Sequence, residues 1–363
     1  MVQCDVLDTD QTTGEEVPLT VAPRMLLKQQ LEQMKNMGFD AKTATELEFY
    51  CFKESIEEAT AKDFALLTPV SSYMEDYHLL QTAREEPFMR EARRALEQSG
   101  VPVENSKGEA GRGQHELNVR YGEPLAMADH HSVYKQCLRE LADQHGFTLT
   151  FMSKPYTDYT GSGCHIHLSL WKDGKNAFVG GESCGPVKNC SPIFRHFLGG
   201  WLTFTHDVMP LFAPNVNSYK RFQSESWAPT KLAWCADNRT CSFRAVGSGP
   251  SLRIELRLPG ADVNPYLALA GAIATGLEGI RQQVEPPVAI DGNVYGDKDK
   301  MNALSSLPTT LTKATDVFEN SEFAKRVFGE EVVQHYARFF RCEQLAFEKA
   351  VTDFERKRYL EQI

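Results

Sequence analysis

Four segments of this chain alternate apolar and ionisable residues with a period of two. In "TELEFY", Glu46 and Glu48 share one side while Leu47 and Phe49 share the other. "GQHELNV" carries Glu116, with Glu109 seven residues earlier in the preceding loop. "GSGCHIHLSLW" sets His165 and His167 opposite Ile166 and Leu168, and "LRIELRL" sets Arg253, Glu255 and Arg257 against Leu252, Ile254, Leu256 and Leu258. Side chains two apart on a strand point the same way, so each segment is a strand with one apolar face. One such strand is an ordinary solvated sheet face. Four of them, bearing Glu, His or Arg with almost no Ser, Thr or Lys, imply a concave sheet on which charges crowd. Carboxylates a few ångströms apart do not both stay ionised cheaply unless a cation lies between them.

Helices are expected around that sheet. Residues 23–37 carry Pro23 at the start, a Leu27, Leu31 and Met34 stripe, and Gly38 as a stop. "EEPFMREARRALEQSG" reads as a second helix ending at Gly100, and "ADHHSVYKQCLRELADQHG" as a third, capped by Asp129 and ended by Gly146. A long helix is expected over 191–208. A buried one follows in "NPYLALAGAIATGLEGI", capped by Asn264 with Pro265 in its first turn, and further helices close the chain. The elements do not alternate strictly as βαβ, which predicts an α+β fold with a mostly antiparallel sheet.

A chain of 363 residues predicts one large domain or two closely joined ones. The net charge of -10 argues against a nucleic-acid partner. No apolar run reaches membrane-spanning length, and "MVQCDVLDTD" lacks the basic-then-apolar order of a leader, so no membrane association is expected. Nine cysteines without a CxxC pair predict free thiols in a reducing, cytoplasmic setting.

Carboxylates with an imidazole suit Mg²⁺ or Mn²⁺; zinc fits less well without a thiolate cluster. Arginines are plentiful: Arg221 in "NSYKRF", Arg239 in "DNRT", then Arg244, Arg253 and Arg257. Any one of them alone would be a surface ion pair. Together with paired metal sites they point to phosphoryl transfer. No GxxxxGK[ST] loop exists, which excludes a P-loop. The residues alone therefore indicate an ATP-using, two-metal enzyme.

In combination and order, "ELE", "GEAGRGQHE", "GSGCHIHLSL", "NSYKRF", "DNRT" and "RIELR" resemble the catalytic domain of the glutamine synthetase family over nearly the whole chain. The resemblance implies a concave antiparallel sheet flanked by helices, and homo-oligomeric double rings. It implies two metal sites, one from Glu48, Glu109 and Glu116 and the other from Glu46, His165 and Glu255. By position, Glu104, His167, Ser169, Arg244 and Arg253 would contact ATP. Arg221, Arg239 and Arg257 would hold the glutamate carboxylate and the transferred phosphate, with Thr160 and Gly161 in the glutamate loop. The implied reaction joins glutamate to ammonia or a primary amine through γ-glutamyl phosphate.

Three departures sharpen that expectation. Where the family carries a flap glutamate before Ala-Pro, "QSESWAPT" places Trp227, with Glu225 nearby. An indole cannot deprotonate ammonium but can stack on an alkyl chain or a cation, which favours an organic amine as in the γ-glutamyl-amine and γ-glutamyl-polyamine branch. Thr160 stands where an asparagine is usual. The family's small N-terminal β domain has no counterpart, so residues 1–22 read as a remnant of its linker and 23–363 as the catalytic domain. Tyr295 in "NVYGDKDK" lies near a tyrosine that some bacterial relatives adenylylate, in different surroundings. The alternative reading is a catalytically impaired scaffold protein; a decaying site should lose metal ligands first, and all six matching positions are intact. A guanidino kinase would need a reactive cysteine beside the arginines. Cys235 and Cys241 flank "DNRT", but that reading leaves the ELE and HIH motifs unexplained.

Overall fold

The computed structural model describes residues 1–10, 12–224, 226–296 and 302–363. A short hairpin of β1 (Leu7–Thr9) and β2 (Glu16–Pro18) comes first, then the long strand β3 (Asp40–Phe52). The remaining strands are β4 (Val103–Gly108), β5 (Gln114–Val119), β6 (Thr148–Thr150), β7 (Cys164–Lys172), β8 (Lys175–Asn176), β9 (Val179–Cys184), β10 (Val187–Cys190), β11 (Trp234–Ala236), β12 (Phe243–Val246) and β13 (Arg253–Leu256). One nine-stranded sheet runs β11-β12-β13-β7-β3-β5-β4, with β6 beside β3 and β8 beside β7, while β9 and β10 pair separately. Every pairing in the large sheet is antiparallel except β11 with β12. The α+β architecture expected from the sequence is the one observed.

The apolar face of that sheet is the core. Leu47, Phe49, Leu117, Ile166, Leu168, Ile254 and Leu256 are all buried. Each such side chain contributes about 1.5–3 kcal/mol. Helices cover this face: Pro23–Asn36, Leu79–Gln98, Pro124–Gln144, Pro192–Phe204 and Pro265–Gln282. The last two touch backbone to backbone. A Cβ added at Gly279 would lie 2.2 Å from the His196 carbonyl oxygen and 2.5 Å from the Gly200 Cα. As expected, Asn264 caps the helix from Pro265, its side chain accepting from the Tyr266 and Leu267 N–H groups.

Three helix ends differ from the sequence reading. The third helix begins at Pro124, so Asp129 lies inside it, where its carboxylate binds Arg24 (3.0 Å) and the Tyr266 hydroxyl (2.6 Å) instead of capping. The helix expected over 191–208 is α-helical only to Phe204; Thr205–Val208 tightens to a 3-10 turn and Met209–Phe212 forms another α turn. Pro210 has no N–H for the regular ladder and its ring crowds the preceding turn. The second helix starts at Leu79, with Leu79 and Leu80 exposed, and runs through Pro87.

Candidate active site

Strand register brings the ionisable residues together. Directly opposed pairs are Glu48 with Glu116 (β3, β5), Glu46 with His165 (β3, β7), His167 with Glu255 (β7, β13) and Arg244 with Glu255 (β12, β13). Opposite charges in such positions attract, and like charges repel. The sheet therefore sets two carboxylates, Glu48 and Glu116, directly against each other.

Two donor clusters result. One oxygen from each of Glu48, Glu109 and Glu116 lies within 4.8 Å of the others, and Glu46, His167 and Glu255 form a second such group. His165 belongs beside the second, its Nδ1 being 3.2 Å from Glu46 and 3.4 Å from Glu255. Hydrogen bonding separates the two imidazoles. Arg253 Nε, which can only donate, is 3.1 Å from His167 Nδ1, so a neutral His167 carries its proton on Nε2, 2.8 Å from Glu46. That nitrogen is a donor towards Glu46. His165 Nδ1 faces only the carboxylates of Glu46 (3.2 Å) and Glu255 (3.4 Å), so without an ion it donates a proton to Glu46, and a cation taking that proton's place would free its lone pair.

The electrostatics fit a cation at both places. Burial, reinforced by Glu109, pushes the Glu48 carboxyl up to about 7. Burial, with Glu46, Glu48 and Glu109, pushes Glu116 up to about 9. Glu46 goes the other way: burial opposes its charge, but His165 and His167 hold it far below the carboxylate range. His165 is pushed down to about 4 by burial, with Arg257 adding to the effect. Lys107 touches Glu109 and is 3.9 Å from Asp76, while Arg221 and Arg257 favour the charge on Glu48. Buried oxygens with an imidazole nitrogen are what a hard divalent ion requires, although at the second cluster Arg244 and Arg257 already pair with Glu255.

Around these clusters lies a cavity of about 580 Å³, lined by all the acidic candidates just named together with Thr160, Gly161, His165, Arg221, Trp227, Arg239, Arg244 and Arg257. Arg221 is fully inside, donating to the Leu258 and Arg257 carbonyls at 2.9 and 3.1 Å. A Cβ at Gly161 would lie 2.7 Å from Arg221 Cγ, so only glycine lets this loop reach the arginine. Glu104, His167, Ser169 and Arg253 line a neighbouring cavity of about 540 Å³, and Glu46, Asn105 and Asn118 line both. Arg244, grouped with those four by sequence, sits instead on the acidic cavity, held by Glu255 at 2.9 Å and by Asp237.

Trp227 is 58 % exposed at the rim, with φ +61°, a left-handed conformation unusual for so bulky a residue. Its neighbours fix it there: Ser226 Oγ donates to the Arg221 carbonyl (3.1 Å) and Tyr295 Oη to the Ala228 carbonyl (2.6 Å). Glu225 lies outside the described residues.

Several partners went unnoticed in the sequence. Gln114 Nε2 donates to Glu48 (3.2 Å) and to the Gly161 carbonyl (3.1 Å), Tyr50 Oη to the Thr160 carbonyl (2.8 Å), and Asn118 Nδ2 to Glu116 (2.9 Å). Gln114, Glu116 and Asn118 share one face of β5, so the same alternation that marked Glu116 pointed to them.

Residues 20–359 match the glutamine synthetase catalytic domain, and the chain belongs to the glutamine synthetase family. It is an ATP-dependent carbon–nitrogen ligase. The gamma-glutamylethanolamide synthetase of Streptomyces coelicolor is 46% identical over 347 residues, 95% of this chain and 72% of that one. A glutamate–isopropylamine ligase from a Pseudomonas species is 35% identical over 362 residues, 99% of this chain and 77% of that one. Among solved structures, a GmaS/ADP complex superposes with a TM-score of 0.83 at 30% identity, covering 94% of this chain and 78% of that chain.

Proposed function

We propose that this enzyme joins glutamate to a primary amine through a γ-glutamyl phosphate, and prefers an organic amine to ammonia. The observation that carries this reading is a single cavity in which Glu46, Glu48, Glu109, Glu116, His165 and Glu255 stand with Arg221, Arg239 and Arg257, and with Trp227 on its rim. Relatives named for ethanolamine and isopropylamine ligation support it.

Glu48, Glu109 and Glu116 would hold one Mg²⁺ or Mn²⁺, and Glu46, His165 and Glu255 the other. Bound there, the ions supply charge neutralisation at the phosphate oxygens. ATP enters from the side of Glu104, His167, Ser169 and Arg253, which puts its γ-phosphate at Glu46, where the two cavities meet. Arg244 reaches the phosphates from the acidic side. Glutamate lies along Thr160 and Gly161, its carboxylate on Arg221 and its γ-carboxylate directed at the phosphate. Attack there breaks the bond to ADP and makes the acyl phosphate. The amine then attacks the acyl carbon, phosphate leaves, and the nitrogen gives up a proton. Arg257 and Arg239 stabilise the charge that develops in both steps, by positioning and electrostatics. Trp227 offers an aromatic face to the amine's alkyl portion.

Nine free cysteines support a reducing, cytoplasmic location. No helix among the described residues is long and apolar enough to cross a membrane. The family's habit of forming homo-oligomers supports a ring assembly here.

Phosphate release from ATP and glutamate tests the reading, with ammonia, methylamine, ethanolamine, isopropylamine and putrescine compared. Release that rises most with an organic amine is expected. Release that responds to none of them returns the chain to the scaffold alternative.

A further inference from the structure

We infer that Glu75, Glu85 and His115 form a third divalent-cation site, buried beside the catalytic face and distinct from both carboxylate clusters of the active site. Along residues 72–85 the chain runs across the surface, with Tyr77, Leu79 and Leu80 exposed. Among the described residues of that stretch only Glu75 and Glu85 are buried. A surface segment is normally anchored by apolar side chains. This one is anchored by two carboxylates, and both are directed at the same buried imidazole.

One donor atom from each of Glu75, Glu85 and His115 lies within 4.8 Å of the others. His115 Nε2 is 3.7 Å from Glu75 Oε1, and its ring packs 5.8 Å from that of Phe49. Four of the converging atoms have no hydrogen-bond partner among the described residues: both oxygens of Glu75, Oε2 of Glu85 and Nε2 of His115. The Ser71 hydroxyl lies close enough to favour the charge on Glu75, and it also accepts from the Gly113 N–H. Arg84 and Lys53 act on Glu85 from exposed positions. Buried polar atoms are almost always paired, and a buried charge without a partner is costly. One shared proton would settle one carboxylate and leave the imidazole nitrogen orphaned. A divalent ion at the centre satisfies all three groups.

The backbone makes room for this arrangement. A Cβ at Gly108 would fall 2.3 Å from Glu75 Cβ and 2.9 Å from its Oε2, so β4 admits Glu75 only because residue 108 is glycine. Two carboxylates with one imidazole suit Mn²⁺ or Zn²⁺ better than Mg²⁺. The position also suggests what an ion would do. The N–H groups of Glu75 and Asp76 donate to the Glu109 carbonyl at 3.3 and 3.2 Å, and His115 adjoins Glu116. An ion here would pin the 72–85 segment to the two stretches of chain that carry catalytic carboxylates, as a positioning element.

Crystals of the full-length enzyme soaked in Mn²⁺ test this by anomalous scattering, with electron paramagnetic resonance counting bound Mn²⁺ in solution. We expect an anomalous peak between Glu75, Glu85 and His115 in the wild type. In Glu85→Gln that peak should vanish and the count fall by one ion per chain, while the peaks at the catalytic clusters stay. No peak there in wild-type crystals whose catalytic clusters are filled would overturn the site. A peak that survives Glu85→Gln at full height would overturn the ligand set.

Discussion

Residues 46–49 place Glu46 and Glu48 on one face of β3 and Leu47 and Phe49 on the other, so two environments can be compared within four residues. The apolar face needs nothing further: Phe49 is fully buried and packs against Phe151 and His115 at 5.8 Å. The acidic face is unfinished. Glu48 opposes Glu116, and burial pushes both carboxyls up even though Arg221, Arg257 and Lys107 oppose the effect. One face holds the fold together, while the other is held in place by it. Function here depends on groups that a protein selected for stability alone would not keep together.

That contrast can be tested within the same strand. Glu48→Gln should lower kcat/KM for amine ligation by about 10³–10⁴-fold, or about 4–5.5 kcal/mol. The same substitution should raise the melting temperature of the metal-free protein at pH 8, since it removes a buried like charge. A loss of both activity and stability would mean that Glu48 is structural. Phe49→Ala should cost about 3–5 kcal/mol in denaturant unfolding, with little change in kcat for the fraction that remains folded. On the same apolar side, Gly279→Ala should cost about 1–3 kcal/mol, because the added methyl meets backbone that cannot swing aside.

The pH dependence follows from the raised carboxyls. The folded values of Glu48, about 7, and Glu116, about 9, lie above the ordinary 4.5, so the folded state holds protons that the unfolded chain has lost. Stability of the metal-free protein should therefore fall as pH rises. His165, pushed down to about 4 from 6.5, works in the opposite sense but is spent above pH 6.5. Between pH 6.5 and 8, thermal unfolding should show declining stability without metal. Saturating Mg²⁺ or Mn²⁺ should remove the decline; an equal slope with and without metal would detach these carboxylates from cation binding. The smallest effect concerns the rim. Trp227→Glu should shift the ratio of ammonia to ethanolamine use about tenfold towards ammonia, roughly 1.4 kcal/mol, read from competing kcat/KM values. An unchanged ratio would remove Trp227 from the acceptor pocket.

Much of this was legible in the chain. Period-two alternation in four segments marked the strands and their charged face, and motif order marked the family. Pro23, Asn264 and Pro265 marked helix starts because caps and first turns are local chemistry. Asp129 misled for the same reason: it is a good cap residue by type, but a long-range pair with Arg24 claims it. Pro210 broke the expected helix one turn early. Which cavity Arg244 lines was not legible, since its place on the acidic one comes from standing opposite Glu255 in the sheet.

By itself the sequence determined which residues share a face, because alternation along an extended chain is a property of the chain alone. It could not say which faces meet. That Glu48 stands against Glu116, that Arg253 turns His167 into a donor while His165 faces Glu46 and Glu255, and that Glu75 and Glu85 converge on His115 are matters of register between strands and segments far apart in the chain. Those registers are set by burial of the opposite, apolar face, where slipping by one residue would expose the whole core.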